Sequence, residues 1–84
     1  MVATRTTSVS FSDLVSEEIA EARSHYEPLT SLHEGYAVLL EEVEELWAEI
    51  KKKPAHRSKA RLLNEAAQVG AMVQRLADDV ILKM

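Results

Sequence analysis

The chain contains no cysteine and no long apolar run. The absence of cysteine excludes disulfides, thiolate zinc sites and cysteine nucleophiles, and it fits a reducing compartment. No apolar run approaches the ~20 residues that a membrane helix needs, and the opening sequence MVATRTTSVSF lacks the apolar stretch of a secretory signal. We therefore expect a soluble, cytoplasmic protein without a membrane partner.

The chain also lacks the excess of positive charge that is typical of nucleic-acid-binding proteins, since its formal net charge is -4. Six of its ten basic residues are concentrated in one short stretch: Lys51, Lys52, Lys53, Arg57, Lys59 and Arg61. We therefore expect no nucleic-acid partner. A basic stretch beside an acidic segment is either a solvated connector or a loop that holds an anion.

With 84 residues the chain suffices for one small domain. Only about 60 to 65% of the unfolded surface can be buried at this size, so the domain gains stability from self-association. We expect a homodimer or a homotetramer.

Turn residues and helix caps divide the chain into segments. Residues 1–10 are rich in serine and threonine and are predicted to be flexible, whereas residues 11–84 are predicted to form a single helical domain. Ser10 or Ser12 can cap a first helix, which should end before Pro28.

A second and a third helix follow. Ser31 and Glu34 have the spacing of a capping box, and a helix that starts there should run to about Lys53, because Pro54 ends it. The third helix should start near Ser58 and continue almost to the end of the chain. The short linker predicts that these two helices are antiparallel neighbours. The expected fold is an all-α antiparallel bundle of about three helices, completed by oligomerisation.

The apolar residues of the second helix recur in alternating steps of four and three: Leu32, Tyr36, Leu39, Val43, Leu46 and Ile50. This heptad seam predicts that the helix packs against other helices through these side chains. The third helix carries an apolar face and several small residues, which permit a close approach of another helix. Gly70 costs about 1 kcal/mol relative to alanine in a helix interior, so we expect a steric reason for it.

The most charged part of the second helix is the run EEVEELWAEI, residues 41–50, which holds five glutamates. Glu41 and Glu45 repel each other at i,i+4, as do Glu45 and Glu49. Helical geometry places Glu42, Glu45 and Glu49 on one side, next to the seam. Such a run is either a solvated surface or a site for a cation.

Glu65 lies at the border of the apolar face of the third helix, and Gln68 neighbours it on the outer side. If the two helices are antiparallel, both side chains can point towards the acidic side of the second helix. Helical bundles build metal sites from carboxylates on facing helices, although border glutamates more commonly keep a bundle soluble.

Over residues 32–80 the chain resembles the MazG-like members of the all-α nucleoside triphosphate pyrophosphohydrolase superfamily. That family carries an ExxE motif on one helix and an ExxD motif on the next, joined by a variable, often basic linker. Here EVEE supplies Glu42 and Glu45, and EAAQ supplies Glu65 and Gln68. The flanking phrases HEGYAVLLEEVEELWAEIKKK and NEAAQVGAMVQRLADDV are similar to those of the family as well. Gln68 stands where the family pattern has an aspartate.

The resemblance implies a Mg²⁺ or Mn²⁺ cofactor held by Glu42, Glu45 and Glu65, which are also the implied catalytic residues. Gln68 would add one uncharged oxygen to the metal and should bind Mg²⁺ more weakly than an aspartate. The implied reaction is the attack of an activated water on the α-phosphorus of a nucleoside triphosphate, which yields a monophosphate and pyrophosphate.

Five more residues are candidates for substrate binding: Lys51, Lys52, Lys53, Trp47 and His33. The lysines offer cationic partners for phosphate oxygens, His33 can contact a base or a phosphate, and Trp47 can stack on a base. Each also has an ordinary structural interpretation, as a solvated residue for the lysines and His33 and as a core or interface residue for Trp47.

Two other functions use the same fold. A non-catalytic helical module could keep this scaffold for oligomerisation or for binding nucleotides or proteins, and Gln68 favours that interpretation. The small size and the heptad seam are also typical of an antitoxin-like or regulatory coiled-coil protein, which would form a stable complex with a separate partner chain.

Overall fold

The computed structural model describes residues 10–84, which are helical and contain no strand. These residues form three helices: α1 (Phe11–His25), α2 (Leu32–Ile50) and α3 (Lys59–Asp79). A short 3-10 turn, Pro54–His56, lies between α2 and α3, and a second one, Ile81–Lys83, follows α3. The predicted all-α fold with three helices is confirmed. The predicted flexible segment lies outside the described residues, apart from Ser10.

Each helix begins at a serine that accepts a hydrogen bond from a backbone N–H three residues later. The acceptors are Ser10, Ser31 and Ser58, at distances of 3.1, 3.0 and 3.2 Å. These are the caps that the sequence predicted, and they satisfy backbone donors that the first turn leaves unpaired. The capping box of α2 is only half formed, because the Glu34 carboxylate accepts from the backbone and hydroxyl of Thr30 instead of closing on Ser31.

The second helix is shorter than predicted, since α2 ends at Ile50 and not at Lys53. Lys53 is the extended residue before the Pro54 turn, as expected for a residue that precedes proline. Arg57 then folds back, and its Nε donates to the Ile50 carbonyl at 2.9 Å. This bond satisfies one of the free carbonyl groups at the end of α2.

α3 is the central helix, because both α1 and α2 pack on it. The start of α2 meets the end of α3, where a Cβ on Gly35 would overlap the Cδ1 atom of Leu76. The predicted antiparallel pairing of α2 and α3 is therefore confirmed. On the other side, a Cβ on Gly70 would lie 3.1 Å from Cγ2 of Val15 in α1, which is the steric reason expected for that glycine.

Within this chain, α2 packs through only part of the predicted seam. Leu39 and Leu46 are half-buried, but four other seam residues are exposed: Leu32, Tyr36, Val43 and Ile50. The close approach at Gly35 turns a different side of α2 towards α3. As a result, five exposed apolar residues follow one another along the helix, and we call them the outer row: Tyr36, Leu40, Val43, Trp47 and Ile50.

The core of the described chain is small. Its buried apolar residues are Leu29, Ala67, Ala71 and Met72. Val73, which the sequence pattern assigns to the apolar face of the third helix, is 50% exposed, whereas Arg75 is buried. No helix within residues 10–84 has the length and apolar character that a membrane span requires.

Candidate metal site

Three carboxylates from two helices meet at one point. Glu42 and Glu45 project from α2 and Glu65 from α3, and one carboxylate oxygen of each lies within 4.8 Å of those of the other two. We call these three residues the acidic cluster. The antiparallel pairing produces the cluster, because it sets the middle of α2 beside the first half of α3. The structure therefore brings together the three glutamates that the sequence singled out.

Two oxygens of the acidic cluster are buried without a hydrogen-bond partner, Oε1 of Glu42 and Oε1 of Glu65. Glu45 is the exposed member of the cluster. The ion pairs seen in the described part of the chain do not include any of the three. Buried polar atoms are normally satisfied, so two unpaired acceptors in one cluster point to a group that donates to them or binds them.

Ionisation of two carboxyl groups of the acidic cluster, those of Glu42 and Glu65, is unfavourable. Burial raises the pKa of Glu42 to about 7, helped by the charges of Glu45 and Glu65 and by a hydrogen bond with Glu45. Burial is also the main cause of the raised pKa of Glu65, followed by the charge of Glu45. Crowded carboxylates behave in this way when no cation balances them.

A fourth carboxylate, Glu18 of α1, contributes to this field and was missed from the sequence. Burial, followed by the charges of Glu21 and Glu17, raises the pKa of Glu18. Its own charge helps to raise the pKa of Glu42. The sequence did contain a signal, because Glu18 stands between Val15 and Ala22 at spacings of three and four on the apolar side of α1.

Two other acids near the motifs already have basic partners. Lys52 Nζ donates to both carboxylate oxygens of Glu49, at 3.0 and 3.1 Å. Asp79 forms an ion pair with Arg23 at 2.8 Å and accepts from the backbone N–H of Leu29 at 2.8 Å. Asp79 thus joins α1, the following loop and α3, and these bonds, with that to Arg23 the largest cause, lower its pKa.

A cavity of about 680 Å³ opens beside the acidic cluster between the three helices. Glu42 and Gln68 both line it. Leu29, Ala71 and Met72 supply apolar parts of its wall. The volume lies within the range of roughly 300–1,000 Å³ that is usual for small-molecule sites. Gln68, the residue that departs from the family pattern, thus lines the same cavity as Glu42.

Arg75 lies in the wall of the same cavity and is only 5% exposed. Its Nη1 donates to Sδ of Met72 at 3.3 Å, and its Nε is buried without a partner. Sequence reasoning missed this residue, because an arginine on a helix is ordinarily solvent-exposed and nothing in the pattern marks it.

The five residues predicted to bind substrate do not line this cavity. His33 lies in the exposed first turn of α2, and Trp47 is 55% exposed in the outer row. Lys52 is paired with Glu49, while Lys51 and Lys53 follow the end of α2 at the surface. Their part in substrate binding remains a prediction.

No protein-family model, curated protein or solved structure matches this chain. The MazG-like resemblance therefore rests on the motif residues and on their spacing.

Proposed function

We propose that the protein is a divalent-metal-dependent hydrolase that converts a nucleoside triphosphate to a monophosphate and pyrophosphate, as the MazG-like resemblance implies. The observation that carries the proposal is the convergence of Glu42, Glu45 and Glu65, whose carboxylate oxygens lie within 4.8 Å of one another. Carboxylates from facing helices are a common way to build a metal site inside a helical bundle.

The residues fit a hard cation. Mg²⁺ and Mn²⁺ prefer oxygen ligands, and the acidic cluster offers buried, unpaired oxygens on Glu42 and Glu65. Glu45 is placed to complete the carboxylate set from the solvent side. Gln68, which lines the cavity beside Glu42, can add an amide oxygen without adding charge. A site with three carboxylates and one amide retains enough negative charge to attract a divalent ion.

When bound, the metal would lower the pKa of a water and offset charge on the phosphates. The chain's own residues would hold the reacting groups. The acidic cluster would hold the metal where Glu42 meets the cavity, and Lys51 and Lys53, which follow α2 outside the cavity lining, are candidate cationic partners for phosphate oxygens. Glu18 adds a fourth negative charge facing Glu42, which strengthens the attraction for a cation.

We also propose that the protein is a cytoplasmic homodimer or homotetramer. The support is the outer row, whose side chains are between 39% and 61% exposed. Contiguous apolar surface of this kind on a soluble protein marks an interaction site. The small core also supports self-association, because so small a domain gains stability when another copy buries more of its apolar surface.

A non-catalytic module is the second candidate, and Gln68 is the observation that favours it. The loss of one carboxylate weakens the site for Mg²⁺. In that case the cavity would still bind nucleotides, but without turnover. The substitution Gln68→Asp separates the two functions in part, since a large gain in Mg²⁺ affinity and in turnover would mean that the natural site is weakened.

The decisive experiment incubates the purified protein with canonical and modified nucleoside triphosphates and Mg²⁺ or Mn²⁺, and measures monophosphate and pyrophosphate. Glu42→Gln removes a cluster carboxylate and should lower turnover by about 100-fold or more. Glu44→Gln is the matched control, because Glu44 is an exposed glutamate of the same helix outside the cluster. Background-level product from the native protein and both variants would exclude the hydrolase function.

A further inference from the structure

Arg75 is a buried charge that interacts electrostatically with the carboxylates of Glu34 and Asp79 but lacks strong hydrogen bonds. Apart from Nη1, which donates to the sulfur of Met72, the guanidinium has an unpaired buried Nε. A thioether sulfur is a weak acceptor, and burying an ionised group without strong hydrogen bonds is costly. Such a group is retained where it meets a ligand, and Arg75 lies in a cavity wall.

The cavity connects Arg75 to one member of the acidic cluster. Glu42, Gln68, Met72 and Arg75 all line it, whereas Glu45 and Glu65 do not. Along α3, Glu65 and Arg75 are ten residues apart, which is about 15 Å at 1.5 Å per residue. A single elongated ligand can therefore contact the cluster and Arg75 together.

The charges around the cavity decide which part of a ligand faces Arg75. Besides Glu42, the cavity is lined by five glutamates: Glu18, Glu21, Glu27, Glu34 and Glu41. An anionic group at the Arg75 end would meet these negative charges without a balancing metal. A neutral group with hydrogen-bond acceptors avoids this repulsion and still satisfies the guanidinium, which only donates. The apolar wall near Met72 suits a flat ring.

We propose that Arg75 binds the base of a nucleotide and selects a 6-oxopurine, guanine or hypoxanthine, over adenine. Arginine donates two parallel hydrogen bonds to O6 and N7 of guanine, whereas adenine replaces the O6 acceptor with an amino donor. Only the identification of the ligand as a nucleotide rests on the proposed function. Because Nε is buried, the contact requires the flexible side chains of Arg75 and Met72 to turn towards the base.

Binding without metal tests this proposal separately from hydrolysis. The affinities of guanosine, inosine and adenosine, which carry no phosphate and are not repelled by the glutamates, are measured in chelator for the native protein, Arg75→Met and Arg75→Lys. We expect the two oxopurine nucleosides to bind alike and about 5- to 100-fold more tightly than adenosine. Arg75→Met should abolish this preference, and Arg75→Lys, which keeps the charge but loses the planar fork, should reduce it.

Measurements of helical content and thermal unfolding verify that the variants fold. If Arg75→Met does not fold, Arg75→Lys still tests the proposal. Equal binding of the three nucleosides to the native protein, no binding of any of them, or an unchanged preference in a folded Arg75 variant would overturn the proposal. Glu42→Gln should keep the base preference while it loses hydrolysis. A base preference in a native protein without hydrolysis would reject the proposed hydrolase and support the role of Arg75.

Discussion

The two sides of α2 contrast with those of an ordinary amphipathic helix. The inner side of α2 carries Glu42 and Glu49 among the half-buried apolar residues Val38, Leu39 and Leu46, whereas the outer row exposes apolar side chains to solvent. In a helix stabilised only by its own domain, the carboxylates would lie outside and the outer row would be polar. The difference indicates that stability of the single chain explains neither the inner carboxylates nor the outer row. The inner side fits a cation site, and the outer side fits a further helical layer.

The largest effect is expected from a substitution in the outer row of α2, on self-association. Val43→Lys places a charge in the middle of the outer row and should weaken self-association by about 100-fold or more, because a desolvated, unpaired charge is costly in an apolar interface. Sedimentation or light scattering over a range of concentrations measures the change. Ala48→Lys is the control, since Ala48 is exposed on α2 outside the row. A monomeric native protein would contradict the proposed oligomer.

Addition of Mg²⁺ should have the next largest effect, on the inner side. A cation that binds only the folded state at about 100 times its dissociation constant raises the free energy of unfolding by about 2.7 kcal/mol. Thermal unfolding with Mg²⁺ and with chelator gives this difference. Glu65→Gln should remove most of it, whereas Glu44→Gln, which alters an exposed glutamate outside the cluster and outside the cavity, should keep it. Equal responses of the two variants would count against the metal site.

Adding a methyl group at Gly35, on the side of α2 that packs on α3, should also lower the free energy of unfolding. Gly35→Ala forces Leu76 to move and should cost about 1–2 kcal/mol, even though alanine favours the helix by about 1 kcal/mol. Gly70→Ala is the comparison, because its Cβ would approach Val15 at 3.1 Å without the overlap seen at Gly35. Urea unfolding of both variants measures the effects. A larger loss for Gly70→Ala would mean that α1 packs more rigidly than α2.

The smallest effect concerns pH. The pKa of Glu42 is raised to about 7, so the folded chain keeps a proton that the unfolded chain releases above its ordinary value of 4.5. The contribution of Glu42 to stability is therefore full below pH 4.5 and is lost as the pH rises towards 7. Without metal, Glu42→Gln should stabilise the protein at pH 7.5 by about 1 kcal/mol, after allowance for solvent screening.

Urea unfolding in chelator at pH 4.5 and at pH 7.5 measures this effect for the native protein, for Glu42→Gln and for the control Glu44→Gln. The gain from Glu42→Gln should appear at the higher pH and be small at the lower one. The same gain from Glu44→Gln would attribute the effect to net charge and not to the cluster.

Much of the fold was accessible from local sequence signals. Ser10, Ser31 and Ser58 predicted the helix starts, because a serine cap acts on its own first turn. Pro54 indicated the end of the second helix to within a few residues. The antiparallel pairing followed from the short linker, and that pairing predicted that Glu65 would face the glutamates of the second helix.

The rotation of α2 about its own axis could not be predicted from the sequence. The heptad pattern favoured burial of Tyr36 and Val43, but the contact between Gly35 and Leu76 turns these residues outwards. A periodic pattern shows which side of a helix is apolar, but it does not show whether the same chain or another copy covers that side. The burial of Arg75 is hidden for the same reason, since it depends on where α1 and α2 leave a cavity.

The sequence by itself determined the helices, their caps, the order of the two acidic motifs and the departure at Gln68, because each depends on neighbours a few residues away. Only the tertiary structure decided that four of the six seam residues of α2 are exposed, that Glu18 joins the field of the acidic cluster and that Arg75 is buried in the cavity wall. These features depend on the packing of three helices around small residues of α2 and α3, and contacts between residues distant in the chain are not encoded in any local pattern.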